Sequence, residues 1–279
     1  MIAVSMFPQM GSGLGLRTPF QAEAASGQSG VDWFEVITEN LLVAGGNPRR
    51  VARATRAHHP LVLHGVSLSI GSIDPIDESY LAAVAALCDE LEPALVSDHL
   101  CWSSLGGHSV HDLWPVPYTA EALAHVVARV AHVQERLGRR ILLENPSSYA
   151  VFRASELGEA EFLAEVARRA DCGILLDVNN VYVSCTNHGW DAQAYLAALP
   201  CERVGQMHVA GHSVDGALLV DTHDAPVCDA VWALYGDAVG RFGAVATCLE
   251  RDDAIPSLDE LRAELAIVRR IAAPVAEAA

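Results

Sequence analysis

Six imidazole and carboxylate residues each close a short apolar run: His64 in LVLHG, His99 in LVSDHL, Glu144 in ILLEN, Asp177 in ILLDVNN, His208 in VGQMHVAG and Glu250 in ATCLERD. Imidazole nitrogen and carboxylate oxygen together suit iron, manganese or zinc, and the lack of thiolate in the set argues against a structural zinc. Six protein ligands exceed what one catalytic ion with an open position needs, so two or more ions bridged by a carboxylate are expected. A second group, Asp221, Thr222 and His223, offers Asp-x-His in a later loop, and Asn180 of DVNN offers a neutral oxygen. Adjacency divides the donors into three sets. His64, His99 and Glu144 would hold one ion, and Glu144, Asp177, His208 and Glu250 a second. Asp221, His223 and Asn180 would hold a third. Glu144 and Asp177 are the residues expected to be indispensable for catalysis. One strand-end His or Asp is more often a satisfied polar residue than a ligand, but six at equivalent positions weigh against that reading of the whole set.

Such a ring needs a scaffold that delivers one residue per strand to one place. Eight segments read as strands: 13–17, 33–38, 61–66, 94–100, 140–145, 173–179, 204–210 and 244–250. Helical spacing marks 77–92, 119–137, 159–170 and 257–272, the second opening on Thr119 with an acid at Glu121. Near-continuous apolar strands alternating with helices indicate a parallel sheet covered on its outer face. Eight such units in 279 residues predict an α/β chain folded as a (β/α)8 TIM barrel, a single domain over 1–279. The runner-up is a doubly wound open sheet, which carries a glycine-rich phosphate loop after its first strand. Gly11, Gly13 and Gly15 give G-x-G-x-G, the wrong spacing for that loop, and read as a turn and part of the first strand. In a barrel the C-terminal strand ends converge on one mouth. The longest irregular stretches, 101–118, 179–190 and 211–225, would lie there.

The formal charge is −17, from 18 basic and 35 acidic residues, and every basic one is arginine. That balance disfavours nucleic acid and anionic membrane, which need clustered positive charge. No run of about 18 apolar residues suggests a membrane span. The start, MIAVSMFPQMGSG, lacks the basic and apolar regions of a signal peptide, so a cytoplasmic location is expected. Seven cysteines, widely spaced and without C-x-x-C, read as reduced thiols. Other polar residues carry blander expectations. His58 and His59 should be exposed, and His125 and His132 should share a surface face of one helix. His108 and His111, with Trp102, Trp114 and Tyr118, form a loop that could touch substrate. Asp98 must point away from His99. Glu39 and Asn40 could support the site, and Arg17 could bind a carboxylate. No nucleophile elbow and no Walker loop is present.

At these residues the sequence resembles domain-of-unknown-function family 692, the multinuclear non-haem iron-dependent oxidases. The segments that carry the resemblance are GLGLR, FEVITEN, LHGVSLSIGS, VSDHLCWS, DLWPVPYT, ILLENPSSY, LLDVNNVYVS, MHVAGH, DTH and LERDDAIP, spanning roughly 13–256. The resemblance implies a TIM barrel with two or three iron ions. It implies His64, His99, Glu144, Asp177, His208, Asp221, His223 and Glu250 as ligands, with Asn180. It implies an O2-using oxidase that modifies a residue, often cysteine, of a ribosomally made precursor peptide. A separate small partner protein that delivers the peptide is implied as well, since the barrel leaves no length for a fused one. The alternative is a redox-neutral zinc or manganese barrel, an isomerase or a phosphodiesterase-type hydrolase. A third reading is a metal- or peptide-binding protein without turnover.

Overall fold

Alternation along eight short strands sets the interior of this protein. The computed structural model describes residues 5–43 and 45–276. In chain order its strands are β1 (Ser12–Gly15), β2 (Trp33–Ile37), β3 (Leu61–His64), β4 (Leu95–His99), β5 (Trp102–Leu105), β6 (His108–Trp114), β7 (Leu142–Glu144), β8 (Gly173–Asp177), β9 (Val204–Val209), β10 (Ser213–Asp215), β11 (Leu218–Val220) and β12 (Ala246–Leu249). Strands β1, β2, β3, β4, β7, β8, β9 and β12 pair in that order, all parallel, and β12 returns to β1 to close a barrel. The expected (β/α)8 architecture is therefore the observed one. The remaining strands form two antiparallel hairpins, β5–β6 and β10–β11.

Successive side chains of a strand point to opposite faces. Leu61 and Leu63 of β3, Val96 of β4, Leu143 of β7 and Ile174 and Leu176 of β8 face outward, into the layer between barrel and helices. The residues between them face inward. Trp33, Val62, Leu95, Leu142, Leu175, Ala246 and Cys248 form a separate apolar floor inside the barrel, against which Phe7 and Met10 pack. Glycine is needed where this floor is tightest. A Cβ on Gly13 would stand 2.4 Å from the Trp33 ring, and one on Gly173 would meet Phe7 at the same distance. Gly11, at φ +74, turns the chain into β1. The glycine pattern thus serves a turn and a close approach, as expected.

The helices are α1 (Gln21–Ala25), α2 (Gly46–Arg56), α3 (Glu78–Leu91), α4 (Ala120–Leu137), α5 (Glu159–Arg169), α6 (Val178–His188), α7 (Ala192–Ala198), α8 (Asp229–Phe242) and α9 (Leu258–Ala276). In α4 the Thr119 hydroxyl accepts from the Ala122 amide, Gly138 ends the helix in the left-handed region, and Leu123, Val126, Val130 and Val133 form the buried stripe. One expectation fails here. Residues 179–190 are mostly helical rather than irregular, because Asp177 ends β8 and at once caps α6, its Oδ1 accepting from the Asn180 amide at 2.7 Å. The other two long loops contain the hairpins. No helix among the described residues is long and apolar enough to cross a membrane, and none of the seven cysteines is in a disulfide.

Candidate metal centre

The inward-facing residues at the C-terminal strand ends are the polar ones. His64, His99, Glu144, Asp177, His208 and Glu250 are all buried, and they converge. The register pairs His99 with Glu144 and Asp177 with His208, so donors on neighbouring strands stand side by side. At the mouth, three groups have donor atoms within 4.8 Å of one another: His64, His99 and Glu144; Glu144, Asp177 and His208; Asp177, His223 and Glu250; a fourth, Glu35, His208 and Cys248, lies deeper. Glu144 and Asp177 each belong to two groups. Glu250 falls with His223 and Asp177, yet its Oε2 is also 2.9 Å from His208 Nδ1. Asp221 Oδ1 lies 2.6 Å from His223 Nε2. A cavity of about 200 Å³ opens over them, lined also by Asn180, Ile37, Val66, Leu113 and Asp252.

Each imidazole is oriented by a partner behind it. His99 Nδ1 donates to the Gly65 carbonyl at 3.1 Å and His64 Nδ1 meets Ser97 Oγ at 2.8 Å. Their Nε2 atoms are thereby left toward Glu144 Oε2, at 3.3 and 3.2 Å. The Asn145 amide clamps β7 to β8, donating to the Asp177 carbonyl and accepting from its amide, both at 3.0 Å. Asn179 donates to Asp221 Oδ1 at 2.9 Å, and the Tyr149 hydroxyl accepts from the Asp221 amide. His223 sits at φ +47, a left-handed conformation unusual for a non-glycine residue and a form of strain that clusters at functional sites.

Electrostatics give a reason for a cation here. Burial above all, with the charges of Asp177, Glu250 and Glu35 adding to it, pushes the Glu144 carboxyl well above the usual range. Burial and then Asp221 push Asp177 up to about 6 against the pull of His223. Burial keeps His64 and His99 below the usual imidazole range, in the neutral form that a metal needs. Burial also opposes charge on His208, but Glu35, Glu250 and Glu144 outweigh it and raise its pKa. Glu144 Oε2, Asp177 Oδ2 and Asn180 Oδ1 are buried without a hydrogen-bond partner, and His208 Nδ1 makes no aligned hydrogen bond despite its contact with Glu250. Buried polar atoms are seldom orphaned unless water or an ion completes them. Two donors about 2.1 Å from one ion at right angles stand about 3 Å apart, close to the spacing seen here. The donor set fits metal ions.

Other expectations meet mixed outcomes. Asp98 points away from His99, accepting from the Leu68 amide, and is pushed up to about 8 by burial and by Glu39. Arg17 reaches Asp252 and comes within 3.7 Å of Glu250 at the edge of the mouth. Glu39 Oε1 accepts from the Val66 amide and the Tyr80 hydroxyl, tying the end of β2 to the segment after β3, and Asn40 is exposed. His58 is exposed, but His59 is buried against the edge of Phe34, 5.2 Å between centroids. The expectation of an exposed His59 fails because the ring fills space beside an aromatic core residue. His125 and His132 are both half-buried on α4. In the β5–β6 hairpin Trp102 stacks on Trp114 and Leu113 reaches the mouth, while His108 lies at the exposed turn. The His111 side chain lies outside the described residues. Tyr118 is not at the mouth. Its hydroxyl donates to buried Glu159 beside a separate cavity of about 520 Å³. Sequence reasoning missed Glu35 and Gln206, which lie beneath His208. The available signal was an acid inside an apolar strand, two residues from Trp33 and so on the same inward face.

Comparison with known proteins agrees with this geometry. The family model described as "RiPP precursor modification enzyme MbnB/TglH/ChrH" matches residues 11–273. A UPF0276 protein of Anaeromyxobacter sp. (strain Fw109-5) is 59% identical over 252 residues, 90% of this chain and 89% of that one. A UPF0276 protein of Caulobacter vibrioides (strain NA1000 / CB15N) is 52% identical over 267 residues, 95% of each. Among solved structures, a D-psicose 3-epimerase superposes with a TM-score of 0.61 at 14% identity, covering 94% of this chain and 99% of that one. The probable 3-DHS dehydratase AsbF of Bacillus anthracis gives 0.60 at 13% identity, covering 93% and 98%. At such identities the likeness shows the barrel alone. The chain belongs to the MbnB/TglH/ChrH family of RiPP precursor modification enzymes.

Proposed function

We propose, from this family membership, that the protein is a multinuclear non-haem iron enzyme. It uses O2 to oxidise a residue, cysteine first, of a ribosomally synthesised precursor peptide. The observation that supports the reading is the ring of buried donors, in which Glu144 Oε2, Asp177 Oδ2, Asn180 Oδ1 and His208 Nδ1 lack hydrogen-bond partners. His64, His99 and Glu144 would hold one ion, and Glu144, Asp177 and His208 a second. Asp177, His223 and Glu250 would hold a third, with Asp221 and Asn180 beside it. Bound iron would supply the one-electron chemistry with O2 that no side chain here offers, and its affinity for sulfur suits a cysteine substrate.

The chain's own residues bind, orient and shield. Glu144 and Asp177 join neighbouring groups and supply the negative charge that offsets the ions. Ile37, Val66 and Leu113 narrow the cavity and limit water. Exposed Trp114, Val214 and Leu218 stand on the hairpins after β4 and β9, where the strands open to the mouth. Apolar side chains around an opening offer a polypeptide a surface to lie on, consistent with a precursor peptide presented by a separate small protein.

The test is metal content per chain on protein purified without oxygen, with iron Mössbauer spectroscopy. Two to three irons and O2 uptake in the presence of a cysteine-bearing precursor are expected. Zinc or manganese at that stoichiometry, without iron, would overturn the oxidase reading in favour of redox-neutral chemistry.

A further inference from the structure

We propose that Glu35 is a positioning residue: its carboxylate accepts the Nε2 proton of His208 and so turns Nδ1 of that ring toward the ion shared with Glu144 and Asp177. This role rests on the metal reading of the mouth.

Glu35 lies in β2 between Trp33 and Ile37, on the inward face, one layer below the mouth and one above the floor. It is 2% exposed, and no arginine contacts it among the described residues. Its partners come across the barrel from β9. Oε1 is 3.0 Å from His208 Nε2, and Oε2 accepts from the Gln206 amide nitrogen at 2.6 Å. An ionised carboxylate has no proton to give, so the proton shared with Glu35 sits on Nε2, and an ion at Nδ1 would take the place of the second proton that Glu250 can otherwise accept. Nδ1 is the atom that faces Glu250 at 2.9 Å, Glu144 at 3.7 Å and Asp177 at 3.9 Å.

The other two imidazoles in the ring are set by the same device with weaker acceptors. His99 gives its remote proton to a backbone carbonyl and His64 faces a serine hydroxyl. Of these three, His208 alone is backed by a charged group. A carboxylate behind a ligating imidazole fixes its tautomer and raises its basicity, and removing such a partner typically costs 10–100-fold in metal affinity. The ion at His208 should therefore be held more tightly than its ligand count alone suggests.

One competing use of Glu35 exists. Glu35, His208 and Cys248 also lie within 4.8 Å of one another and could share an ion of their own. The Gln206 NH2 group argues against it. It donates to Glu35 Oε2 at 2.6 Å, so a donor hydrogen already occupies the side of Glu35 that a cation would take; its 3.0 Å approach to His208 Nε2, which carries a proton in this reading, is a contact between two donors and not a hydrogen bond.

The experiment is a Mn2+ titration of the full chain, followed by the electron paramagnetic resonance of free Mn2+. It is run on wild type, Glu35→Ala, Glu35→Gln and Cys248→Ser. Long-range proton–nitrogen spectra of the histidine rings in Zn2+-loaded protein accompany it. Expected are a 10–100-fold weaker site in Glu35→Ala and an intermediate loss in Glu35→Gln, whose amide oxygen still accepts the Nε2 proton. The site at His64 and His99 should be unchanged, and His208 should carry its proton on Nε2. If Glu35→Ala does not fold, Glu35→Gln carries the test with an expected loss of about threefold or more. Unchanged Mn2+ affinity in folded Glu35 variants, or a His208 protonated on Nδ1, would overturn the role. Loss of one ion in Cys248→Ser would overturn it in favour of the deeper site. Wild type that takes up no Mn2+ would instead sink the metal reading beneath it, and this role with it.

Discussion

The floor and the mouth of this barrel come from the same strands, two residues apart, and their chemistry is opposite. Val62 and His64, Leu142 and Glu144, Leu175 and Asp177 are inward-facing neighbours on single strands. The lower member of each pair belongs to one apolar cluster with Trp33, against which Phe7 packs, and the upper member has polar atoms turned to a shared centre. Burial stabilises the floor at about 25 cal/mol per Å² of apolar surface removed from water. Burial does the reverse at the mouth, where carboxylates held from water without a cation are costly. The floor is complete by itself. The mouth is complete only with the ions it is proposed to bind, so fold and function should be separable by mutation.

The sharpest break is Glu144→Ala. It should abolish metal loading at two of the three groups and all turnover. It should leave the metal-free chain as stable as wild type or more so, because it deletes a buried carboxylate with an orphaned oxygen. Metal analysis beside a thermal melt checks both halves. Full metal content and turnover in this variant would end the assignment of the mouth. Next in size, Trp33→Ala at the floor should cost about 3–5 kcal/mol in urea unfolding, the usual range for deleting a buried aromatic ring. Its folded fraction should bind metal with unchanged affinity. A loss below about 1 kcal/mol would show that the floor does not hold the barrel together.

The smallest effect concerns a buried carboxylate outside the barrel. Glu159 receives hydrogen bonds from Tyr118 at 3.0 Å and Tyr195 at 2.8 Å, so unlike Glu144 it is closed by protein groups. Burial still raises it from 4.5 to about 7, against the pull of the two tyrosines. A raised carboxyl favours folding while protonated. Its contribution is full below pH 4.5 and is lost as pH rises to about 7, an effect of about 2–4 kcal/mol. Glu159→Gln should therefore be more stable than wild type at pH 8 by about 2 kcal/mol and should lack that part of the pH slope between 5 and 7. Urea melts at several pH values read the difference. Identical slopes would mean that Glu159 stays ionised in the native state and that the contrast with the mouth is weaker than drawn.

Much of this was legible before any coordinates. Strand and helix periods gave eight units, and the strand-end position of six donors pointed to one mouth, because a parallel barrel brings all its C-terminal ends together. The helical course of 178–188 was hidden, since VNNVYVSCTNH has no clean apolar stripe and its helix is started by Asp177, a residue also engaged at the site. Glu35 was hidden for a different reason. It lies mid-strand, where a sequence shows an acid among apolar residues but not what stands across the barrel.

What the sequence determined by itself was therefore periodic and local: the alternation that separates inward from outward residues, the caps, the glycines at turns, and the kind of donor at each strand end. Tertiary structure alone decided which donors share a centre, and which nitrogen of each imidazole faces it. It also placed a carboxylate from β2 behind a histidine of β9. Some of those are contacts between adjacent strands and others reach across the interior of the closed barrel, between residues up to 173 positions apart. Strand periodicity carries no information about them, because closure, and not sequence neighbourhood, brings them together.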